Sequence, residues 1–544
     1  MTTAEAADFV VIGAGSAGCI VAGRLAAAGH SVLLLEAGEA AEAHPETLSA
    51  DGFKDAFAND ATMWPRMSAK LAGMGRKYLG TGRGMGGSGS VNGMVYTRGD
   101  ARDFDNWPVG WHYADCETAF AAVEAQLRPH PRPTTPFVRA FIAACQGVGM
   151  QQQDGMNTGD LTAKVGANAM NYEGAKRRSS YRAFIKEPME EKGGALRQNL
   201  RIVLRAQVER VEFAGKKAVA VHYRKNGQAE RVAVGKEVIF CAGALETPRL
   251  LMLSGVGPAA HLQQLGIPVV QDAPGVGQHL QDHPNVALFY RGNKALDFSY
   301  PQVYAFDTVD GHASEHKAAP EMCWVLYAAP ASMQQAMKRM LPIMALPDWL
   351  PARGKFTWAL RKLIDGAFQL LPVVGFVENV FAIVVILGKP SSRGQIRLAS
   401  TDPAVPADIE PGWYATERDR QLMEQGIARA RQMVAQPSLA GLKPKALSKG
   451  AKEGVSSKAL WKWIHKASMT TYHFAGSCRM GNDAASPVAP ADLRVKGLAN
   501  VRVMDASLMP EIPVSALNAP SMMLGWRGAQ ILLDEYPFQA VKPA

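Results

Sequence analysis

The sequence predicts an α/β protein entered through a parallel βαβ unit, and three stretches carry that expectation. Residues 9–38 read FVVIGAGSAGCIVAGRLAAAGHSVLLLEAG. Residues 80–99 read GTGRGMGGSGSVNGMVYTRG, a second glycine-rich loop. Residues 242–258 read AGALETPRLLMLSGVGP and follow the apolar run Val238 to Cys241. Phe9 to Ile12 suit a buried parallel strand. Gly13, Gly15 and Gly18 then form GxGxxG, an alanine-rich helix follows, and Val32 to Leu35 make a second apolar run ending at Glu36. The glycines permit a tight turn, a close pyrophosphate and close helix–strand packing. The helix N-terminus faces the phosphates, and the Glu36 carboxylate accepts from ribose hydroxyls, as in a Rossmann-like dinucleotide site. The fingerprint does not separate NAD from FAD, but Glu36 favours a free 2′-hydroxyl over a 2′-phosphate. The run at 238–241 with its turn reads as a further strand, turn and helix of the same sheet.

Bulk properties bound the remainder. A chain of 544 residues predicts two or three packed units, and 47% hydrophobic content is that of a globular protein. The net charge of +10 is spread along the chain, with clusters such as Lys176-Arg177-Arg178. That fits an anionic cofactor or an anionic membrane surface. The sequence has no zinc-spaced Cys/His set, helix-turn-helix pattern or arginine-rich arm, so neither a metal site nor a nucleic-acid partner is expected. The six cysteines are scattered without a CxxC, which predicts reduced thiols and a cytoplasmic location. The start, MTTAEAADFVVIG, has no cleavable leader pattern. No uncharged run of about 18 residues predicts a spanning helix.

The three blocks, together with VRVMDASLMPEIPVSALNAPSMM at 501–523, keep the order and spacing of the glucose-methanol-choline (GMC) oxidoreductases, and the chain resembles that family from Phe9 to about Leu533. The resemblance implies FAD. It also implies a discontinuous FAD-binding domain (1–112, 166–290 and 465–544) and a substrate domain on an antiparallel sheet (113–165 and 291–464). Gly13, Gly15, Ser16, Gly18 and Glu36 are the expected cofactor contacts of the first motif. Gly86, Gly87, Ser88, Asn92 and Gly93 match the loop over the isoalloxazine and pyrophosphate. Some relatives attach FAD to a histidine just before that asparagine. Val91 stands there in this chain, so non-covalent FAD is expected. Val208 matches the residue that meets adenine, and Asp505 and Ala506 match a pair near the ribityl and pyrophosphate.

In the family a hydride passes from an alcohol carbon to flavin N5 while a base takes the hydroxyl proton, work suited to imidazole. His473, in TTYHFAGSCRMG, matches the family histidine. Asn518, in LNAPSMM, matches the partner that orients the substrate oxygen. His465 reads as a helix-surface histidine. His279 and His283, in GVGQHLQDH, read as structural or near-cofactor. The family's VVDP-like stretch is PVAP at 487–490, and GNTNAP is SALNAP.

The stretch 282–320 is short for a lid, and 333–381 reads as an amphipathic insertion. Phe356, Leu360, Leu363, Ala367, Phe368 and Leu371 recur at helical spacing opposite Arg361, Lys362, Asp365 and Gln369. Such a helix packs internally on the substrate domain, makes a dimer contact, or lies on a membrane, peripheral to its inner face. The expected reaction is oxidation of an apolar, long-chain primary alcohol to the aldehyde, with oxygen or a quinone as electron acceptor. The alternatives are a light-driven fatty-acid decarboxylase, from which the Tyr472-His473 pair departs, and a non-catalytic membrane-associated flavoprotein.

Overall fold

The computed structural model describes residues 3–537 except 192–193, 298, 310–318, 328 and 346–353. The run Thr3–Ile12 is a strand, and its apolar end pairs in parallel on both sides: Phe9 opposes Val32 and Glu237, and Ile12 opposes Leu35 and Phe240. Phe9, Val10 and Val11 are wholly buried, as an all-apolar strand inside a parallel sheet must be. The sheet runs Leu200–Val203, Val32–Leu35, Thr3–Ile12, Gln228–Phe240, Lys217–Lys225, Ala206–Ala214, with Val501–Val503 on the C-terminal end of Gln228–Phe240. Gln228–Phe240 is long enough to serve two neighbours. Its first half joins an antiparallel meander and its second half the parallel core.

The helix Ser16–Ala27 follows the first strand, and the C-terminal helix Asn518–Glu535 lies on it. Gly525 makes that possible: a Cβ there would stand 2.8 Å from the Ala17 carbonyl oxygen. Arg24 stacks 3.9 Å from the Trp526 ring and fixes the other end of the contact. This packing brings Asn518 to the start of the first helix, 502 residues from Ser16 in sequence.

A second, eight-stranded sheet carries the substrate side. Its strands pair antiparallel except for Gln151–Gln152 with Lys164–Ala167. Met322–Tyr327 and Val380–Leu387 are almost continuously apolar and buried, which suits central strands covered on both faces. Two strands cross the domain limits expected at 166 and 290. Lys164–Ala167 and Pro284–Arg291 both hydrogen-bond within this second sheet. A local apolar run carries no label for its partner.

The insertion forms helices at Ala329–Ala345, Lys355–Ala367 and Leu371–Val377. The single helix expected over 356–371 is broken, because Pro372 sits in the first turn of a new helix and cannot continue an old one. Its apolar stripe faces outward: Phe356, Leu363 and Leu371 are 65%, 70% and 84% exposed. Among the described residues no helix is long and apolar enough to cross a membrane. Part of the short stretch at 282–320 lies outside the described residues.

Candidate active site

The first glycine-rich turn shows which glycines serve the protein and which serve a ligand. Gly13 has φ +100°, and a Cβ there would lie 2.6 Å from the Cys241 carbonyl oxygen. A Cβ on Gly18 would lie 1.9 Å from the Gly13 carbonyl oxygen. Both are required by backbone packing. Gly15 is different. Its φ of −75° suits any residue, and a Cβ would meet only the Cys241 oxygen at 3.9 Å. The space it leaves opens into a cavity of about 1030 Å³, where a helix N-terminus also points.

Two buried carboxylates tie the loops around this cavity. Glu36 accepts from the N–H groups of Ala14 (2.9 Å), Gly38 (2.8 Å) and Gly84 (3.0 Å), so one side chain joins the first turn to the loop at 80–99. Burial pushes its carboxyl up, against those three donors. Asp505 accepts from the Gly243 N–H at 2.8 Å, the Thr247 hydroxyl at 2.6 Å and the Ser507 N–H at 2.8 Å. Gly243 has φ +84° with open space where a Cβ would sit, so its conformation demands glycine.

The second loop is backed by Arg177. It is 1% exposed and donates to the Gly89 carbonyl (3.2 Å), the Asn92 side-chain oxygen (2.7 Å) and the Asn92 carbonyl (2.8 Å). Desolvation lowers its pKa to about 9. Gly87, at φ +51°, lies against Gly15, so the two glycine-rich segments meet at one end of the cavity.

His473 reaches the cavity from the opposite sheet. Pro284 pairs with Thr470 and Asn285 with Met469. Gln281 and Ala475 then exchange two backbone hydrogen bonds. Between these ties Tyr472 takes φ +63°, and the His473 N–H donates to Asp282 at 3.2 Å. The Trp413 indole N–H also donates to Asp282, at 3.1 Å. Burial pushes this carboxyl up to about 7. The His473 ring faces the cavity, and burial lowers its pKa to about 4. Asn518 shares the cavity, and its side-chain oxygen accepts from the Ser16 hydroxyl at 2.7 Å. The amide is therefore oriented, with its NH2 group left to donate.

Thirteen of the fifteen expected site residues line this one cavity: Gly13, Gly15, Ser16, Glu36, Gly87, Ser88, Asn92, Gly93, Val208, His473, Asp505, Ala506 and Asn518. Gly18 and Gly86 do not. Gly18 packs on Gly13, and the Gly86 N–H donates to the Ala14 carbonyl at 2.8 Å in an αL turn. Both support the turn through these backbone contacts. The motif pattern missed Trp64, Gly243 and Glu246, which also line the cavity. Glu246 is held by Arg66 and Arg249 at 2.9 and 3.0 Å. A buried pair has no local sequence period, and only the Gly243 turn left a readable signal. His279 and His283 are not among the residues lining the cavity, and His465 is half-buried on its helix.

The residues fit a flavin dinucleotide. Gly15 leaves room for a pyrophosphate, Val208 and Glu36 wall one end, and the one imidazole among the described lining residues, His473, shares the cavity with the fixed Asn518 amide. Val91 offers no nitrogen for covalent attachment. GMC oxidoreductase family models match residues 7–285 and 390–525. An oxygen-dependent choline dehydrogenase of Chromohalobacter salexigens is 32% identical, covering 100% of this chain and 97% of that one. Another from Photobacterium profundum is 30% identical over 97% and 93%. Pyridoxine 4-oxidase from Mesorbium loti superposes with a TM-score of 0.79 at 25% identity, over 96% of this chain and 98% of that one. The chain therefore belongs to the GMC oxidoreductase family, the FAD-dependent alcohol-oxidising enzymes that its four motifs resemble.

Proposed function

We propose that this enzyme oxidises a neutral, apolar primary alcohol, of long chain, to the aldehyde, and takes it from a lipid surface. FAD, when bound, supplies the hydride acceptor. His473 takes the hydroxyl proton at its cavity-facing ring nitrogen, and the Asn518 amide N–H donates to the alcohol oxygen. Oxygen or a quinone removes the electrons.

The observation that carries the substrate class is the wall away from the glycine turns. Met333, Met337, Met340, Leu341, Phe376 and Val380 form it, and such side chains accommodate flexible apolar chains. Among the described residues the carboxylates lining the cavity are Glu36, Glu246 and Asp505, all engaged in the hydrogen bonds and ion pairs above. None is left to meet a quaternary ammonium. The aromatic cluster of Phe57, Tyr78 and Tyr472 is already served by a cation: the Arg339 guanidinium lies 5.4 Å from the Tyr78 ring, paired to Asp60 at 2.6 Å. A choline headgroup would meet a like charge there. This separates the chain's expected substrate from that named for its choline dehydrogenase relatives.

Delivery follows from the mouth. Phe376 lines the cavity and is 40% exposed, and the outward stripe of Phe356, Trp358, Leu363 and Leu371 continues the apolar surface. Arg291 stacks 4.8 Å from the Phe376 ring, and Lys445 pairs with Arg291 across the sheet. An apolar patch with basic neighbours suits an anionic bilayer.

Anaerobic flavin reduction across a panel from ethanol to dodecanol, with choline included, tests the reading. Rates should rise with chain length, and choline should be inert. Faster reduction by choline than by any aliphatic alcohol overturns it. Peroxide formation in air, against turnover with a soluble quinone, identifies the acceptor. Co-sedimentation with phosphatidylglycerol vesicles should be lost in a Phe356→Ser, Leu371→Ser double variant. Failure of the parent protein to bind removes the lipid route.

A further inference from the structure

His283 is wholly buried, outside the cavity wall, and its Nδ1 lies 2.9 Å from the Nδ1 of His473, with the rings edge to face at 5.1 Å and 88°. Two imidazole nitrogens at that distance share a single proton. If His473 donates, its Nε2 carries a lone pair toward the cavity. If His283 donates, His473 is protonated at Nε2 when neutral and cannot act as a base. The choice therefore decides whether the site works.

The surroundings of His283 make that choice. The backbone carbonyls of Gly388 and Pro513 face its ring and favour a proton there. Neither reaches full hydrogen-bond geometry at Nε2, which is buried without a satisfied partner. A lone pair facing two carbonyl oxygens is repelled, whereas an N–H is attracted, so Nε2 bears the hydrogen and Nδ1 is the acceptor. The other charged group near the ring is Lys389, which is paired to Asp103 at 3.2 Å and donates to the Ile512 carbonyl at 3.0 Å. Its field discourages a second proton on His283. Both histidine backbones are fixed as well: Thr471 donates twice to the His283 carbonyl, at 3.0 and 2.7 Å, and His473 is held by Asp282.

We infer that His283 is a positioning residue that accepts the Nδ1 hydrogen of His473 and thereby fixes the tautomer whose Nε2 can take a substrate proton. This rests on His473 as the base in the alcohol reading, but the tautomer exists without substrate. The experiment uses FAD-loaded enzyme labelled with ¹⁵N-histidine, its His473 signals identified by their loss in His473→Gln. Long-range ¹H–¹⁵N spectra at pH 7.5 should show His473 protonated at Nδ1 and His283 at Nε2. His283→Phe removes the acceptor and should shift His473 toward the other tautomer. Alcohol-driven flavin reduction should then slow at least about tenfold, a part of what a general base contributes, with an altered pH profile and unchanged FAD content. His283→Asn keeps an acceptor near the Nδ1 position and should stay within about threefold of the parent, as expected of a single replaced neutral hydrogen bond. The inference is overturned by an Nε2-protonated His473 in the parent, or by a His283→Phe enzyme with unaltered rate and pH profile. If no alcohol reduces the parent flavin, the alcohol reading falls, and the spectra still decide the tautomer.

Discussion

Replacing Gly15 with alanine separates ligand contact from protein packing. Its φ of −75° is one alanine adopts, and the added Cβ meets nothing nearer than 3.9 Å. The apoprotein should therefore be as stable as the parent, or gain about 0.4–1 kcal/mol by restricting the unfolded chain. The methyl group enters the space left for the pyrophosphate, however, and pushes it from the helix N-terminus. We expect FAD affinity to fall about tenfold or more, ~1.4 kcal/mol. Gly18→Ala is the control with the opposite signature. Its Cβ lies 1.9 Å from a backbone oxygen, so the helix must move, which destabilises the apoprotein itself by about 1–3 kcal/mol. Thermal unfolding of both apoproteins, followed by FAD titration with flavin fluorescence, distinguishes them. A Gly15→Ala protein that binds FAD as tightly as the parent, or loses apo stability as Gly18→Ala does, refutes the reading of this turn.

Other residues give sharp outcomes too. His473→Gln should retain FAD yet lower alcohol-driven flavin reduction about 10²–10⁴-fold, and undiminished reduction would remove it as the base. The lowered His473 pKa fixes the sign of the pH dependence: the ring is neutral in the fold down to about 4. Activity persists from neutral pH downward and is lost as pH falls through about 4, whereas stability is full above the free-imidazole range near 6.5 and declines as pH falls from there to about 4; an acid limb near 6.5 in flavin-reduction profiles would contradict the burial. Ser16→Ala leaves the Asn518 oxygen without its donor, so reduction should slow several-fold for a lost bond of about 1 kcal/mol, measured by stopped flow. Glu237 and Arg502 are both wholly buried, with hydrogen bonds of 2.6 and 2.8 Å. Glu237→Gln should lower stability by about 3 kcal/mol in denaturant titrations, because an arginine is left short of its charge.

The first strand and turn were legible in the sequence because their information is local. Phe9 to Ile12, Gly13, Gly18 and Glu36 each answer a constraint met within a few dozen residues. The Gly86–Gly93 loop and His473 were legible only through the resemblance, since glycine loops and a lone histidine have many uses. The same pattern could not show that Gly18 is crowded by a backbone oxygen, because required glycines look alike whether a ligand or the protein crowds them. It also carried the insertion helix on to Leu371, where an apolar period masks a break after Ala367.

By itself the sequence determined the family and the dinucleotide turn, since those depend on residue identity at fixed spacing. Only the tertiary structure decided which neighbours those residues have. It seats Asn518 on Ser16, sets Arg177 behind the second loop, and turns the insertion's apolar face outward. It also brings His283 against His473 across 190 residues. The physical reason is the same in each case: hydrogen bonds and burial are made between surfaces that meet after folding, and a one-dimensional pattern records the donors and acceptors without recording their partners.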